Sequence, residues 1–488
     1  MSEISAAIGF NLIVISPTIA LVGTALVLLF FTITIESNEI VKKSITFIGM
    51  LITSFCVFLK FGLFLENGVS SYFTQKILLD EFSLFGNVLI SLILLFNFLP
   101  IWDSSKQLKE KTTEAIILTL MSASGFMLMV DSENLIMLFI GLEIGSISLY
   151  ALAGLNRGDK LSNEASLKYF LLGSLASCIL IYGVSLVYVS FSVFSVYNLA
   201  LGIAYVGPDS VPLTTSIGVL LIFIGLLFKI AAAPFQSWAP DVYQGSPTSV
   251  TVLFAILPKI AALTVFIKFL YGPFINLFEE WQAIIIFLSI ASMILGAVAA
   301  IGQKNLKRLI AYSSISHMGY ALAGLTTGTN QGIQSSIIYL IIYLIMNLAF
   351  FSCLFMLKRK DKFYENIEDL SGLSKKHPIL ALSFLIILFS LAGIPPLAGF
   401  FAKFYIFMAV IQKEMYFLAI VGLLATVIAA FYYLRVIKII YFDPEQEKFD
   451  TSMSLGLKLT LILSTSAILM YFLNPNFLNK YITNILVI

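Results

Sequence analysis

Stretches of roughly twenty or more apolar residues, separated by short polar segments, recur along nearly the whole chain. A helix needs about 20 such residues to cross the hydrocarbon core of a bilayer. On that criterion the sequence divides into about fourteen segments, at 10–35, 44–65, 82–101, 113–130, 133–155, 165–192, 214–240, 248–271, 281–302, 309–327, 333–357, 378–411, 415–441 and 455–473. The pattern predicts an all-α polytopic membrane protein. The seventh and twelfth segments are broken: Pro234 and Pro240 interrupt one, and Pro395 and Pro396, flanked by Gly393 and Gly399, interrupt the other. Proline removes a backbone donor and clashes with the preceding turn. Backbone freed at membrane depth must face protein or water, so breaks of this kind mark polar cavities in transporters.

Composition narrows the class further. At 59% hydrophobic and 11% charged residues, the chain lacks the polar surface of a soluble globular domain. The net charge of +2 and the absence of a basic, aromatic-laced stripe give no reason to expect nucleic acid. Cys56, Cys178 and Cys353 are widely separated within apolar segments, so neither a disulfide framework nor a cysteine metal site is expected. The opening MSEISAAIGF has neither a basic n-region nor an Arg-rich transit character, and no cleavage is expected.

Charge between the segments sets an orientation. Counted from an outside N-terminus, the odd loops carry Lys42 and Lys43, then Lys106, Lys109 and Lys111, then Arg157 and Lys160. They continue with Lys304, Lys307 and Arg308, the group from Lys358 to Lys376, and Lys448 and Lys458. The even loops hold chiefly Lys76 and Lys413. The positive-inside rule then places both termini outside.

An internal echo accompanies the breaks. YALAGL occurs at Tyr150–Leu155 and again at Tyr320–Leu325, in the fifth and tenth segments, and the same offset relates the broken seventh and twelfth. An odd offset inverts the second copy, which is the inverted-repeat plan of many transporters. The expected organisation is helices 1–3 over residues 1–110, a first five-helix repeat (helices 4–8) over 111–275, a second inverted repeat (helices 9–13) over 276–442, and helix 14 over 443–488.

Within these segments Glu143, Lys229, Lys259 and Lys403 lie where charge is costly. An ionised side chain at the bilayer centre costs about 3 kcal/mol on insertion scales, and such groups mark ion or proton pathways. Lysine suits proton exchange better than arginine, whose guanidinium does not deprotonate in proteins. His317 in the tenth segment is either a satisfied core histidine or a relay. Lys168 either forms a helix-stabilising i,i+4 pair with Glu164 or serves an inward-facing funnel. Lys60, Lys268, Arg435 and Lys438, near segment ends, read as interfacial anchors.

These residues carry a resemblance. FKIAAAPFQSWAPDVYQGSPTSVTVLFAILPKIAAL (228–263), LFIGLEIGSISLYAL (138–152), EASLKYFLLGS (164–174), LKRLIAYSSISHMGY (306–320) and AGIPPLAGFFAKF (392–404) resemble the subunit N family of the proton-pumping NADH:quinone oxidoreductase, respiratory complex I. The resemblance covers roughly residues 80–440. Lys403 stands where one larger paralogue typically has glutamate, and the chain has no long lateral helix after its fourteenth segment. The resemblance implies that Glu143 is the fifth-helix glutamate paired with Lys229 of the seventh helix, that Lys259 is central, and that Lys403 lies toward the outward exit. It implies no cofactor in this subunit, with NADH, FMN, iron-sulfur clusters and quinone bound elsewhere in the assembled complex. The implied partners are other membrane subunits of the complex, including a neighbouring antiporter-like subunit and small membrane subunits. The implied location is the bacterial plasma membrane, or the mitochondrial inner membrane for an organelle-encoded chain. A multisubunit cation/proton antiporter, or a ferredoxin-fed photosynthetic-type homologue of the complex, has the same lysines and stays open as an alternative.

Overall fold

Hydrocarbon offers backbone groups no partner, so apolar runs of this length satisfy their own hydrogen bonds by folding as helices. The computed structural model describes residues 2–34, 39–103, 111–207, 210–359, 362–450 and 455–485. Lys106, Lys109 and Lys360, used above to orient the chain, lie outside the described residues. The chain divides into two compact units, Met1–Ile230 with Ile256–Phe278, and Ala231–Ala255 with Glu279–Ile488.

The first unit holds α1 (Ser2–Thr34), α2 (Glu39–Asn67), a hairpin of β1 (Ser70–Tyr72) and β2 (Ile77–Leu79), α3 (Glu81–Asp103), α4 (Thr112–Asp131), α5 (Leu135–Ala153), α6 (Lys160–Phe191), α7 (Val196–Val206) and α8 (Leu213–Lys229). The short α9 (Trp238–Gly245) follows in the second unit, and α10 (Thr248–Tyr271) begins in the second unit and ends in the first. The second unit continues with α11 (Phe278–Ile301), α12 (Leu306–Leu325), α13 (Asn330–Phe355), a hairpin of β3 (Lys358–Arg359) and β4 (Lys362–Phe363), α14 (Leu373–Lys376) and α15 (Pro378–Ala392). It closes with α16 (Ala398–Gln412), α17 (Tyr416–Phe442), α18 (Leu455–Met470) and α19 (Asn476–Ile485).

Among the described residues eleven helices are long and apolar enough to cross a membrane, and the protein is a multi-pass membrane protein. The remaining three expected segments differ from those eleven for local reasons. The seventh is split into α8 and α9 and the twelfth into α15 and α16, because Pro234 and the Pro395–Pro396 pair do not continue a helix. Pro240, expected as a second break, instead sits in the first turn of α9, where a missing backbone donor is tolerated. The tenth, α12, carries Lys307, Arg308, Ser313, Ser314, Ser316 and His317 and is correspondingly polar. The helix α7 and the hairpin β1–β2 fall in stretches that the apolar scan left as connections.

Local signals start the helices that matter below. Asn134 Oδ1 accepts from the Ile136 amide at 2.9 Å and begins α5, and Asp159 Oδ1 accepts from Leu161 at 3.0 Å and begins α6, each satisfying a donor that the first turn leaves open. Glycine sets how closely α4 and α5 approach. A Cβ added at Gly125 would lie 2.3 Å from the Gly145 nitrogen and 2.7 Å from the Gly141 carbonyl oxygen. Small residues drive helix association in membranes by admitting this backbone approach. Gly125→Ala is therefore expected to push the two helices apart and lower stability by about 1–3 kcal/mol. A lowered melting temperature and reduced assembly checks it, and an unchanged melting temperature contradicts the packing argument.

Candidate functional site

In the first unit, α5 presents Glu143, Ser146 and Tyr150 at i, i+3 and i+7, which places them along one face of the helix. Lys229 ends α8, and its Nζ donates to Ser146 Oγ at 2.8 Å and to Tyr150 OH at 3.0 Å. The same Nζ lies 5.5 Å from the Tyr150 ring centroid and 5.7 Å from that of Phe228, within cation–π range. A helix C-terminus concentrates partial negative charge, which favours a cation there. Glu143 is partly buried and accepts from Ser177 Oγ. The expected direct Glu143–Lys229 ion pair does not form: the carboxylate turns to α6 and the ammonium to the next turn of α5. Ser146 and Ser177 therefore join the site. The i, i+3 spacing from Glu143 signalled Ser146 in the sequence, whereas nothing there signalled Ser177, which comes from α6.

Lys259 sits on α10 and is fully buried. The most apolar window of that helix is buried along its whole length, so the charge lies in packed protein and away from the lipid surface. Lys168 pairs with Glu164 at 2.6 Å, and both side chains are exposed. Exposed i,i+4 pairs contribute about 0.3–0.5 kcal/mol.

The second unit builds a comparable arrangement at its own break. Gly393 ends α15 in the left-handed region, with φ of 87°, a conformation glycine adopts without strain. The peptides before Pro234 and Pro396 are both cis. Lys403, buried on α16, donates to the carbonyls of Leu391 at 3.1 Å and Ala392 at 3.0 Å. Those are carbonyls at the end of α15, so the broken helix supplies the acceptors. The ammonium also lies 5.1 Å from the Tyr320 ring centroid. Lys403 is thus held inside and does not reach for an interface. Other freed backbone groups find side chains: the Gly399 amide donates to Ser390 Oγ at 3.0 Å and the Ala233 amide to Ser292 Oγ at 2.8 Å.

His317 is buried among hydroxyls. Its Nδ1 is 2.5 Å from Tyr339 OH and its Nε2 3.4 Å from Tyr433 OH. Tyr433 OH is hydrogen-bonded to Ser313 Oγ, and Tyr343 OH to Ser314 Oγ at 2.5 Å. Hydroxyls both donate and accept, so this chain has the chemistry of a relay as well as of a satisfied core. Pro240 lies within α9, whose Asp241 bonds Arg308 at 2.5 Å.

Several assignments made from the sequence require correction. Lys60 and Lys268 are not interfacial anchors: Lys60 is 2.6 Å from Asp131 and Lys268 is 3.2 Å from Asp80, all buried. Their places near segment ends made them look like anchors, whereas their acidic partners, Asp131 at the end of α4 and Asp80 just before α3, are distant in the chain. Lys307 is not a solvated loop cation. It is buried in the first turn of α12, 2.8 Å from Glu365, and donates to the Ser246 carbonyl at 2.8 Å. Arg435 donates to the carbonyls of Ile301, at 2.7 Å, and Gln303 at the end of α11.

The two YALAGL copies acquire a meaning here. Tyr150 opens the first and faces Lys229; Tyr320 opens the second and faces Lys403. In each unit the lysine next to the helix break lies against the tyrosine of the repeated hexapeptide.

The family model described as NADH:quinone oxidoreductase/Mrp antiporter, transmembrane, matches residues 132–429. NADH-quinone oxidoreductase subunit N of Pelagibacter ubique is 61% identical over 372 residues, covering 76% of this chain and 78% of that protein. A chain of respiratory complex I from Thermus thermophilus superposes with a TM-score of 0.79 at 27% identity, covering 94% of this chain and 98% of its own. A chain of the Mrp complex from a Dietzia species superposes with a TM-score of 0.83 at 19% identity, covering 95% of each; at that identity the likeness concerns the fold alone.

Proposed function

Because this chain belongs to the subunit N family of NADH-quinone oxidoreductase, the enzyme complex of respiration, we propose that it is a proton-translocating subunit that moves charge through Glu143, Lys229, Lys259 and Lys403. Electron transfer from NADH through FMN and iron-sulfur clusters to quinone belongs to other subunits. The partners are neighbouring membrane subunits of the complex, and the location is the bacterial plasma membrane. Fourteen passes follow if each broken helix is counted as one. The organisation is two inverted five-helix repeats over 111–275 and 276–442, flanked by 1–110 and 443–488.

The observation that carries this reading is the matched setting of two lysines. Lys229 and Lys403 each end up buried next to a proline-broken helix, each against the tyrosine of a YALAGL copy. A structural cation needs no such repetition, and a repeat built around a titratable group is what an inverted-repeat transporter requires. Desolvation favours the neutral amine, while oxygen acceptors and a nearby carboxylate favour the ammonium. Opposed effects of this kind make the proton responsive to small movements of the acceptors. For Lys229 those acceptors are the hydroxyls of Ser146 and Tyr150, with Glu143 one turn away on the same face of α5. A proton released at Lys229 passes to Lys259 and Lys403 through ordered water, with His317 and its tyrosines as a side relay. Lys168 remains a surface pair in this scheme.

The carboxylate provides the test. Glu143→Gln keeps the shape and an acceptor for Ser177 but removes the charge, whereas Glu143→Asp keeps the charge on a shorter arm. Proton pumping normalised to assembled complex should fall severalfold in the Gln variant and be partly retained in the Asp variant. Equal behaviour of the two rejects charge tuning by Glu143.

A further inference from the structure

At the ends of α2 and α4 farthest from Lys42, Lys43 and Lys111, the first unit buries a second group of charges. Lys60 on α2 is 2.6 Å from Asp131 at the end of α4, and Lys268 on α10 is 3.2 Å from Asp80, just before α3. Asn87 Nδ2 also donates to Asp131 Oδ1 at 2.7 Å. A third carboxylate, Glu133, lies between α4 and α5 within electrostatic reach of Lys268 and Asp80. Lys60 likewise senses Asp80 and Lys268, so the five groups act as one cluster. All five are at most 8% exposed. Glu81 beside Asp80 is only partly buried, and Lys76, whose carbonyl accepts the Glu133 amide, is exposed.

The charges do not balance. Two ammoniums face three carboxylates, leaving one negative charge uncompensated when all are ionised. Ser195 hydrogen-bonds the Glu133 carboxylate, but Glu133 Oε2 is buried with no hydrogen-bond partner among the described residues, as is Asn87 Oδ1. An unpaired buried charge costs several kcal/mol, and such a group commonly neutralises by binding a proton. A metal cation suits the space poorly. It needs several free oxygen ligands, whereas Asp131 and Asp80 already face ammoniums that repel a second cation. Among the described residues no three acidic, histidine or cysteine side chains are placed to hold a metal ion.

We propose that Lys60, Asp80, Asp131, Glu133 and Lys268 form a proton-holding site, in which one exchangeable proton neutralises the surplus carboxylate at Glu133. The reaction is a single protonation: Glu133 gains the proton as a carboxylic acid and returns it as a carboxylate, with no change elsewhere in the cluster. The site goes beyond the lysine path of the preceding reading and does not depend on it.

Infrared difference spectra of the assembled complex across a pH titration test this inference. The wild type should show a protonated-carboxyl C=O stretch that shifts in D2O and disappears on deprotonation. Glu133→Gln should lose that band, whereas the double variant Lys60→Gln with Asp131→Asn removes one charge of each sign, leaves the surplus intact and should keep it. Addition of sodium at fixed pH should not displace it. If Glu133→Gln fails to assemble, Asp80→Asn lowers the carboxylate count equally and carries the same expectation of a lost band. A Glu133→Gln titration indistinguishable from wild type, or a band displaced by sodium, overturns the site. Lys229→Ala complexes should retain the band whatever their pumping, which separates failure of this inference from failure of the lysine path.

Discussion

Lys229→Ala is expected to leave the assembled complex at normal abundance while proton pumping and quinone-linked NADH oxidation fall by about tenfold or more, within the range that a positioned proton-transfer group contributes. The substitution removes a titratable group and two hydrogen bonds, to Ser146 Oγ and Tyr150 OH. What remains is two neutral hydroxyls, far less costly to leave behind than an unpaired charge. Glu143 keeps its bond from Ser177, and alanine at the end of α8 is a good helix former. Structure is thus spared while the proton site is lost. Pumping at the wild-type rate in fully assembled Lys229→Ala complexes refutes the role.

Lys403→Arg separates a proton carrier from a fixed cation. Guanidinium keeps the positive charge at any accessible pH. The Leu391 and Ala392 carbonyls and the face of Tyr320 suit its planar donors as well as they suit an ammonium. Assembly should therefore be normal, more surely than for Lys403→Ala, which leaves the end of α15 without its donor. If the proton must leave the side chain, flux in reconstituted vesicles falls about as far in the Arg variant as in the Ala variant, again by about tenfold or more. Near-normal flux in Lys403→Arg reduces the residue to an electrostatic element. The two lysines together test the repeat, since groups in matched settings should respond alike.

Apolar runs by themselves determined that this chain is a bundle of membrane helices, and proline placement determined where two of them break, because both follow from local backbone hydrogen bonding. The sequence likewise singled out Glu143, Lys229, Lys259 and Lys403, since a charge in an apolar run is visible without any partner. It did not determine what each charge meets. Lys60 and Lys268 looked like anchors because Asp131 and Asp80, their partners, are distant in the chain. Lys229 was expected on Glu143 and instead bonds Ser146 and Tyr150, a choice made by how α8 ends against α5. Lys403 was placed past a break that turned out to provide its acceptors. The repeated YALAGL hexapeptide was a bare coincidence of letters until folding set each tyrosine against a lysine. Helix formation is encoded within a segment, whereas the partner of a buried charge is fixed only when distant segments pack, and there desolvation leaves no charge free to choose solvent instead.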